Sequence, residues 1–182
     1  MRLVTVSLGS NIDPAHHLHR CLDALADTFD QLKISRVFES EPVGFTDSRN
    51  FFNLVVAFHS DWSPGELQAW AKQLEIDHGR PPGIAKFSPR ALDIDLLTVG
   101  DLCGMVDDVA LPREEITHNA FVLQPLAELL PTECHPLTGS SYATLWATFE
   151  QGNQRLWPVD FSWRGHWISK ADKQPQRATA RR

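Results

Sequence analysis

Gly79-Arg80-Pro81-Pro82-Gly83-Ile84-Ala85-Lys86-Phe87-Ser88-Pro89-Arg90-Ala91-Leu92-Asp93-Ile94-Asp95-Leu96-Leu97-Thr98-Val99 reads as a stiff, basic, proline-bounded loop running into a strand. From Leu92 to Val99 the chain alternates and is rich in Leu, Ile and Val, the pattern of a buried β-strand whose apolar face carries Leu92, Ile94 and Leu96. Asp93 and Asp95 then share the opposite face, with Cα atoms about 6.5–7 Å apart. Two solvated carboxylates on an exposed strand are the plainer reading. If the strand is mostly buried, however, the two charges need compensation, which hard divalent cations with oxygen ligands supply. Two-metal clamps on phosphate chains set their ions about 3.5–4 Å apart. Arg80, Lys86 and Arg90, upstream in the same loop, are donors suited to phosphate oxygens.

The flanking segments alternate between strands and helices. Before the loop, Ser63-Pro64-Gly65-Glu66 is a capping box with Pro at the first helical position, and Leu67, Trp70, Ala71 and Leu74 form the buried stripe of the helix it opens. Gly79 is a natural stop for that helix. Phe51 to His59 reads as a strand with a nearly continuous apolar run, interrupted by Asn53. An amide there is either a satisfied structural residue or a reader of a ligand, and the residues alone leave both open. The polar loop 40–50 before it has a length that is often functional.

Leu3 to Leu8 is expected to be the first strand, ending in a turn at Gly9-Ser10-Asn11, with Asp13 capping a helix from about 14 to 29. His16, His17 and His19 lie near that helix start. Two imidazoles at i and i+3 could share a metal, although exposed helix-start histidines are commoner. Leu32 to Glu39 is expected as a second strand. After the Asp strand come a hairpin through Val109-Ala110-Leu111, a helical stretch with Phe121, Val122, Leu126 and Leu129 that Pro125 should kink or interrupt, a helix from about Ser141 to Gln151, and a strand near 155–159.

At 182 residues the chain fits one domain, placed at 1–163, followed by a basic, mobile tail over 164–182. The tail carries six Lys/Arg against one acid, Asp172, so its charge is +5 while the body carries −11 of the net −6. So acidic a body argues against nucleic-acid binding across its surface. The absence of a long apolar run argues against a membrane span, and the lack of a leader-like apolar stretch points to the cytoplasm. Cys21, Cys103 and Cys134 have no metal-ligand spacing and read as reduced thiols. Neither of the common glycine-rich nucleotide fingerprints is present.

The pattern Arg80-x₆-Phe87-x-Pro89-Arg90-x-Leu92-Asp93-x-Asp95 resembles the signature of the 6-hydroxymethyl-7,8-dihydropterin pyrophosphokinase family, and the resemblance runs from about Val4 to about Trp157. It implies an α+β, ferredoxin-like sandwich with a mainly antiparallel sheet and helices packed on it. It also implies transfer of pyrophosphate from ATP to a pterin alcohol, with AMP leaving. Two Mg²⁺ ions would sit on Asp93 and Asp95, and Arg80 and Arg90 would clamp phosphates as catalytic residues. Glu75, Phe87 and Arg113 match nucleotide positions, and Val43, Phe51, Asn53, Asp93 and Phe121 match pterin positions. A monomer without nucleic-acid or membrane partners is expected.

Pro82 stands where the family commonly has a basic residue, Phe87 where some members have tryptophan, Arg113-Glu114 where a histidine and an aromatic or proline are usual, and Asn119 where arginine is common. A pterin- or nucleotide-binding paralogue with little catalysis is therefore the second reading. A metal-dependent nuclease fits the acidic body poorly.

Overall fold

The computed structural model describes residues 1–42, 49–79 and 91–172. Its framework is an antiparallel sheet containing β1 (Arg2–Ser10), β2 (Lys33–Ile34), β3 (Val37–Ser40), β4 (Phe51–Ser60), β5 (Asp93–Val99) and β8 (Leu156–Val159). The strand order is β5-β1-β4-β3-β8, with β2 also paired to β4. α1 (Pro14–Thr28) connects β1 to β3 across β4, and α2 (Pro64–Asp77) connects β4 to β5 across β1. These two split crossovers make the ferredoxin-like arrangement, with every neighbouring pair antiparallel.

The alternation of side chains sorts the sheet into two faces. Val4, Val6 and Leu8 of β1, Leu54, Val56 and Phe58 of β4, and Ile94 and Leu96 of β5 pack against Leu18, Leu22 and Leu25 of α1 and Leu67 and Ala71 of α2. On the other face, Val55, Ala57 and Leu97 pack against Val122, Leu123 and Leu126 of α3 (Ala120–Leu129) and Tyr142 of α4 (Tyr142–Ala147). A one-residue irregularity in the β1–β5 register after Thr5 lets Leu97 and Thr98 both serve that second face. Thr5 and Thr98 share a buried hydroxyl–hydroxyl hydrogen bond of 2.6 Å.

Several local expectations change. Gly9 and Ser10 belong to β1, so the turn comes later, at 11–13. Asp13 holds the N-cap position in a left-handed conformation (φ 42°) with no side-chain cap, whereas the Ser63 hydroxyl does cap α2 by accepting from Glu66 N. The expected strand 32–39 is two pieces. Ser35 inserts an extra residue opposite Val55, donating its N–H to the Val55 carbonyl and accepting the Val55 N–H on its hydroxyl. Helix α3 runs through Pro125 without interruption, and α4 stops at Ala147 rather than near 151. A short hairpin pairs β6 (Gly104–Val106) with β7 (Val109–Leu111).

The largest correction concerns the boundary at 163. β9 (Phe161–Trp163) and β10 (His166–Ser169) form a hairpin, and Arg164 and Gly165, both at positive φ, make its two-residue turn. Phe161 is in the core, Ser169 is buried, and Arg164 pairs with Asp23 of α1 at 2.9 Å. Farther on, Arg36 grips Glu128 of α3 through two donors, at 2.8 and 2.9 Å, and Asp172 through a third at 2.8 Å. The first nine residues assigned to the tail are thus part of the fold. Most of their charge is spent on contacts with α1 and with Arg36.

Candidate active site

β1 and β3 end, and β4 and β5 begin, at the same edge of the sheet. The loops 41–50 and 79–92 both join the sheet there. At this edge Phe38, Asn53, Gly9 and Asp93 lie opposite one another on β3, β4, β1 and β5, one strand after the next. Residues paired across strands share a face, so Asn53 and Asp93 project on the same side with Gly9 between them. Glycine puts no side chain in that gap, and the flanking Cα atoms are about 10 Å apart, two strand spacings. A Cβ on Gly9 would stand 3.2 Å from Asn53 Oδ1 and 3.8 Å from the Phe51 ring. One turn of the pleat away, Val55, Ser7 and Asp95 form the next row. The two aspartates therefore face the same side, as the alternation predicts, and both are half-buried.

Asn53 is 4% exposed, and its Nδ2 donates to the Ser40 hydroxyl at 2.7 Å. That bond fixes the amide plane and orients Oδ1 along the sheet toward Gly9. Phe51 shares the face of Asn53 two residues away. Phe121, in the first turn of α3, lines a small cleft with Ser40, Glu41, Arg155 and Leu156. Phe51, Asn53 and Phe121 are thus gathered around Ser40. Asn53 therefore has a structural partner in Ser40, and its Oδ1 borders the side-chain-free position at Gly9.

Glu75 is buried, and its Oε1 accepts the N–H of Ile94, the residue between the two aspartates, at 2.8 Å. It ties α2 to the start of β5 and fixes the position of the Asp pair. Burial, followed by the neighbouring charge of Asp93, pushes the Asp95 carboxyl well above the usual carboxylate range. Arg113 pulls it down, and Glu75 and Glu115 add to the rise.

Arg113 precedes the 3₁₀ turn Glu114–Thr117, and its backbone N–H donates to Leu97 O at 2.8 Å. From that anchor its Nη2 reaches Asp95 Oδ1 at 3.4 Å and donates to Glu115 Oε1 at 3.1 Å, while Nε lies 3.1 Å from Glu115 Oε2. Glu114, the neighbour whose charge bears on Arg113 in the sequence, instead points outward to His118 at 3.6 Å. Glu115 was missed because the turn after Arg113, which decides which carboxylate returns to it, is not legible as a motif. Val43, Arg80, Pro82, Lys86, Phe87 and Arg90 lie outside the described residues. Asn119, placed where the family commonly has arginine, is the residue before α3.

Among the described residues no group of three His, Cys, Asp or Glu side chains is gathered to hold a metal ion. His17 is engaged with His78, their Nδ1 atoms 2.6 Å apart, and His19 with the Ser162 carbonyl. What the structure offers a hard cation is the Asp93–Asp95 pair. Oxygen donors on one face suit Mg²⁺, which keeps several waters and takes its remaining ligands from substrate phosphates.

A family model described as 7,8-dihydro-6-hydroxymethylpterin-pyrophosphokinase (HPPK) matches residues 5–131. The chain is 31% identical over 138 residues to the 2-amino-4-hydroxy-6-hydroxymethyldihydropteridine pyrophosphokinase of Aquifex aeolicus, covering 75% of this chain and 86% of that one. It is 33% identical over 148 residues to a folate synthesis bifunctional protein of Chlamydia caviae, covering 78% of this chain but only 33% of that protein, so it spans about a third of that longer relative. A Plasmodium falciparum HPPK-DHPS structure with pteroate superposes at a TM-score of 0.63 and 13% identity, over 80% of this chain and 43% of the other, a likeness of fold. With the matched segment carrying β1 through α3, and with it the glycine gap, the Asp pair and Arg113, the chain belongs to the HPPK family.

Proposed function

We propose that this protein transfers pyrophosphate from ATP to 6-hydroxymethyl-7,8-dihydropterin, releasing AMP, as a monomer in the cytoplasm. The observation that carries the reading is the row Asn53–Gly9–Asp93: an amide held in one orientation, a glycine that puts no side chain between, and a carboxylate, in line across three strands. A flat heterocycle laid over Gly9 would have its edge read by Asn53 and its faces met by Phe51 and Phe121, and the family resemblance adds Val43 to the pterin-binding residues. Its hydroxymethyl oxygen would then point toward the aspartates.

Asp93 and Asp95 would hold two Mg²⁺ ions, which neutralise phosphate charge when bound. Glu75 keeps the aspartates in place through Ile94 N–H. Arg80, Arg90 and Arg113 would bind phosphate oxygens, with Phe87 against the nucleotide. In-line transfer of this kind needs positioning and charge neutralisation more than covalent help, and this is the kind of help these groups provide. The three cysteines are unpaired thiols, which suits a reducing compartment, and no helix among the described residues is long and apolar enough to cross a membrane.

The test is incubation of the full chain with ATP, Mg²⁺ and the hydroxymethyl-dihydropterin. AMP and the pterin diphosphate should form together, and only when the pterin is present. Binding of both substrates without AMP would make this a binding paralogue, and AMP production that ignores the pterin would remove the transferase reading.

A further inference from the structure

Arg113 is the residue whose contacts fit a phosphate clamp least simply. Its guanidinium does not point into open space. One nitrogen lies 3.4 Å from Asp95 Oδ1, and two lie 3.1 Å from the oxygens of Glu115. Asp95 is a proposed metal ligand, so a cation of the protein itself stands beside a carboxylate that a divalent cation would need. All three side chains are about one-third exposed, so the contact is open to exchange with solvent ions. The backbone bond from Arg113 to Leu97 keeps the base of the side chain on β5 whichever way the guanidinium turns.

We propose that Arg113, gripped by Glu115, is a resident counter-ion for Asp95 that competes with the divalent cation in the nucleotide-free protein and leaves Asp95 when metal and nucleotide arrive together. This rests on the reading of Asp95 as a metal ligand. A single guanidinium cannot sit against Asp95 while a doubly charged ion takes the same oxygen, because like charges a few ångströms apart repel. Arrival of phosphates resolves the conflict, since they offer the displaced guanidinium a stronger bidentate partner. Glu115 restrains Arg113 in the meantime, so that its charge remains by the site. The consequence is order: metal alone binds poorly, and metal carried by the nucleotide binds well.

Mn²⁺ binding to the full chain without nucleotide, followed by electron paramagnetic resonance, tests this directly. Circular dichroism and thermal melting first establish that each variant is folded. Arg113→Gln should bind Mn²⁺ about five- to tenfold more tightly than the parent, the size expected from removing one nearby positive charge at a partly exposed site. Arg113→Lys, which keeps the charge, should stay within about twofold of the parent. Asp95→Asn should remove the binding from both parent and Arg113→Gln. In turnover assays Arg113→Gln should need less Mg²⁺ for half-maximal rate even though its kcat falls.

Binding that depends on Asp95 but is unchanged or weakened in Arg113→Gln overturns the competition and leaves the metal reading standing. Tighter binding in both Arg113→Lys and Arg113→Gln would trace the effect to loosened structure and overturn it too. Mn²⁺ binding that ignores Asp95→Asn overturns the metal reading itself. Absence of binding to parent and Arg113→Gln alike at millimolar Mn²⁺ also counts against the proposal, because missing phosphate ligands, not Arg113, would then be what keeps the ion out.

Discussion

One face of the sheet has two halves that use the same three strands differently. Toward one end, Val55, Ala57 and Leu97 meet Val122, Leu123 and Leu126 of α3, a closed apolar contact. Toward the other end, Gly9, Asn53, Asp93 and Asp95 hold the corresponding positions, a glycine and three polar side chains in place of the apolar ones. The strands change character within two residues, from Asn53 to Val55 and from Asp95 to Leu97. One antiparallel ladder runs under both halves, so packing at one end holds polar groups in register at the other.

If the halves divide labour in this way, mutations should separate activity from stability. The largest separation is expected for Asp95→Ala. Turnover with ATP and pterin should fall about a thousandfold, about 4 kcal/mol of transition-state stabilisation, with the urea midpoint unchanged or higher because a repelling charge is gone. Near-parental turnover at limiting Mg²⁺ would place the metal elsewhere. Leu123→Ala in the packed half is the mirror experiment. Urea unfolding should show a loss of about 2–5 kcal/mol, while kcat/KM per folded molecule stays within about twofold. A large loss of kcat/KM in this variant would show that the halves are not separable.

Asn53→Ala lies on the border and should move both quantities modestly. Calorimetry with a pterin analogue should show about ten- to a hundredfold weaker binding, from polar ring groups left unpaired at about 1–3 kcal/mol. Unfolding should cost about 1 kcal/mol because the Ser40 hydroxyl loses its donor. Unchanged affinity would reduce Asn53 to its structural role.

The smallest effect concerns pH at the polar end's approach, where His78 closes α2 just before the loop that leads to Asp93. Burial, aided by Arg20, His17 and His16 and opposed by Asp77, holds this imidazole down to about 4. His17, facing it, is also lowered, by burial and then by His16, with Arg20 in the same direction and Asp13 against. Between its ordinary value near 6.5 and about 4, the unfolded chain binds a proton at this position that the folded chain refuses. Stability should therefore be complete above about pH 6.5 and decline as pH falls toward 4. Urea unfolding of His78→Gln should show a shallower decline over that window, and an identical slope would assign the acid sensitivity to other groups.

Much of this division was legible in the sequence, and the exceptions share a cause. The alternation from Leu92 to Val99 placed both aspartates on one face, and the polar interruption at Asn53 marked a residue that needs a partner. Both signals are local, set by a two-residue period. The alignment of Asn53 with Gly9 and Asp93 depends on register between strands far apart in sequence, and Gly9 by itself reads as a turn. The hairpin Phe161–Ser169 was hidden by composition. Its basic and polar residues outweighed the cue in Phe161-Ser162-Trp163 and His166-Trp167-Ile168, two short runs rich in aromatic residues on either side of Gly165. Which carboxylate reaches Arg113 depended on a single turn of 3₁₀ helix, below the reach of any spacing rule.

The central place of β1 has a further consequence, for the order in which the chain folds. Its two neighbours in the sheet, β4 and β5, follow it by some 40 and 80 residues, so the strand that is made early must wait for both partners. At synthesis rates of about 5–20 residues per second, both its edges stay open for seconds and the β5 edge for about 4–16 s. Few of its contacts are local, and loop-closure entropy must be paid before any of them form, which predicts folding in the slow, millisecond-to-second range of small domains. Val4, Val6 and Leu8 present an apolar face to other nascent chains throughout that interval, and the helix next made, α1, covers that face while both hydrogen-bonding edges are still unpaired.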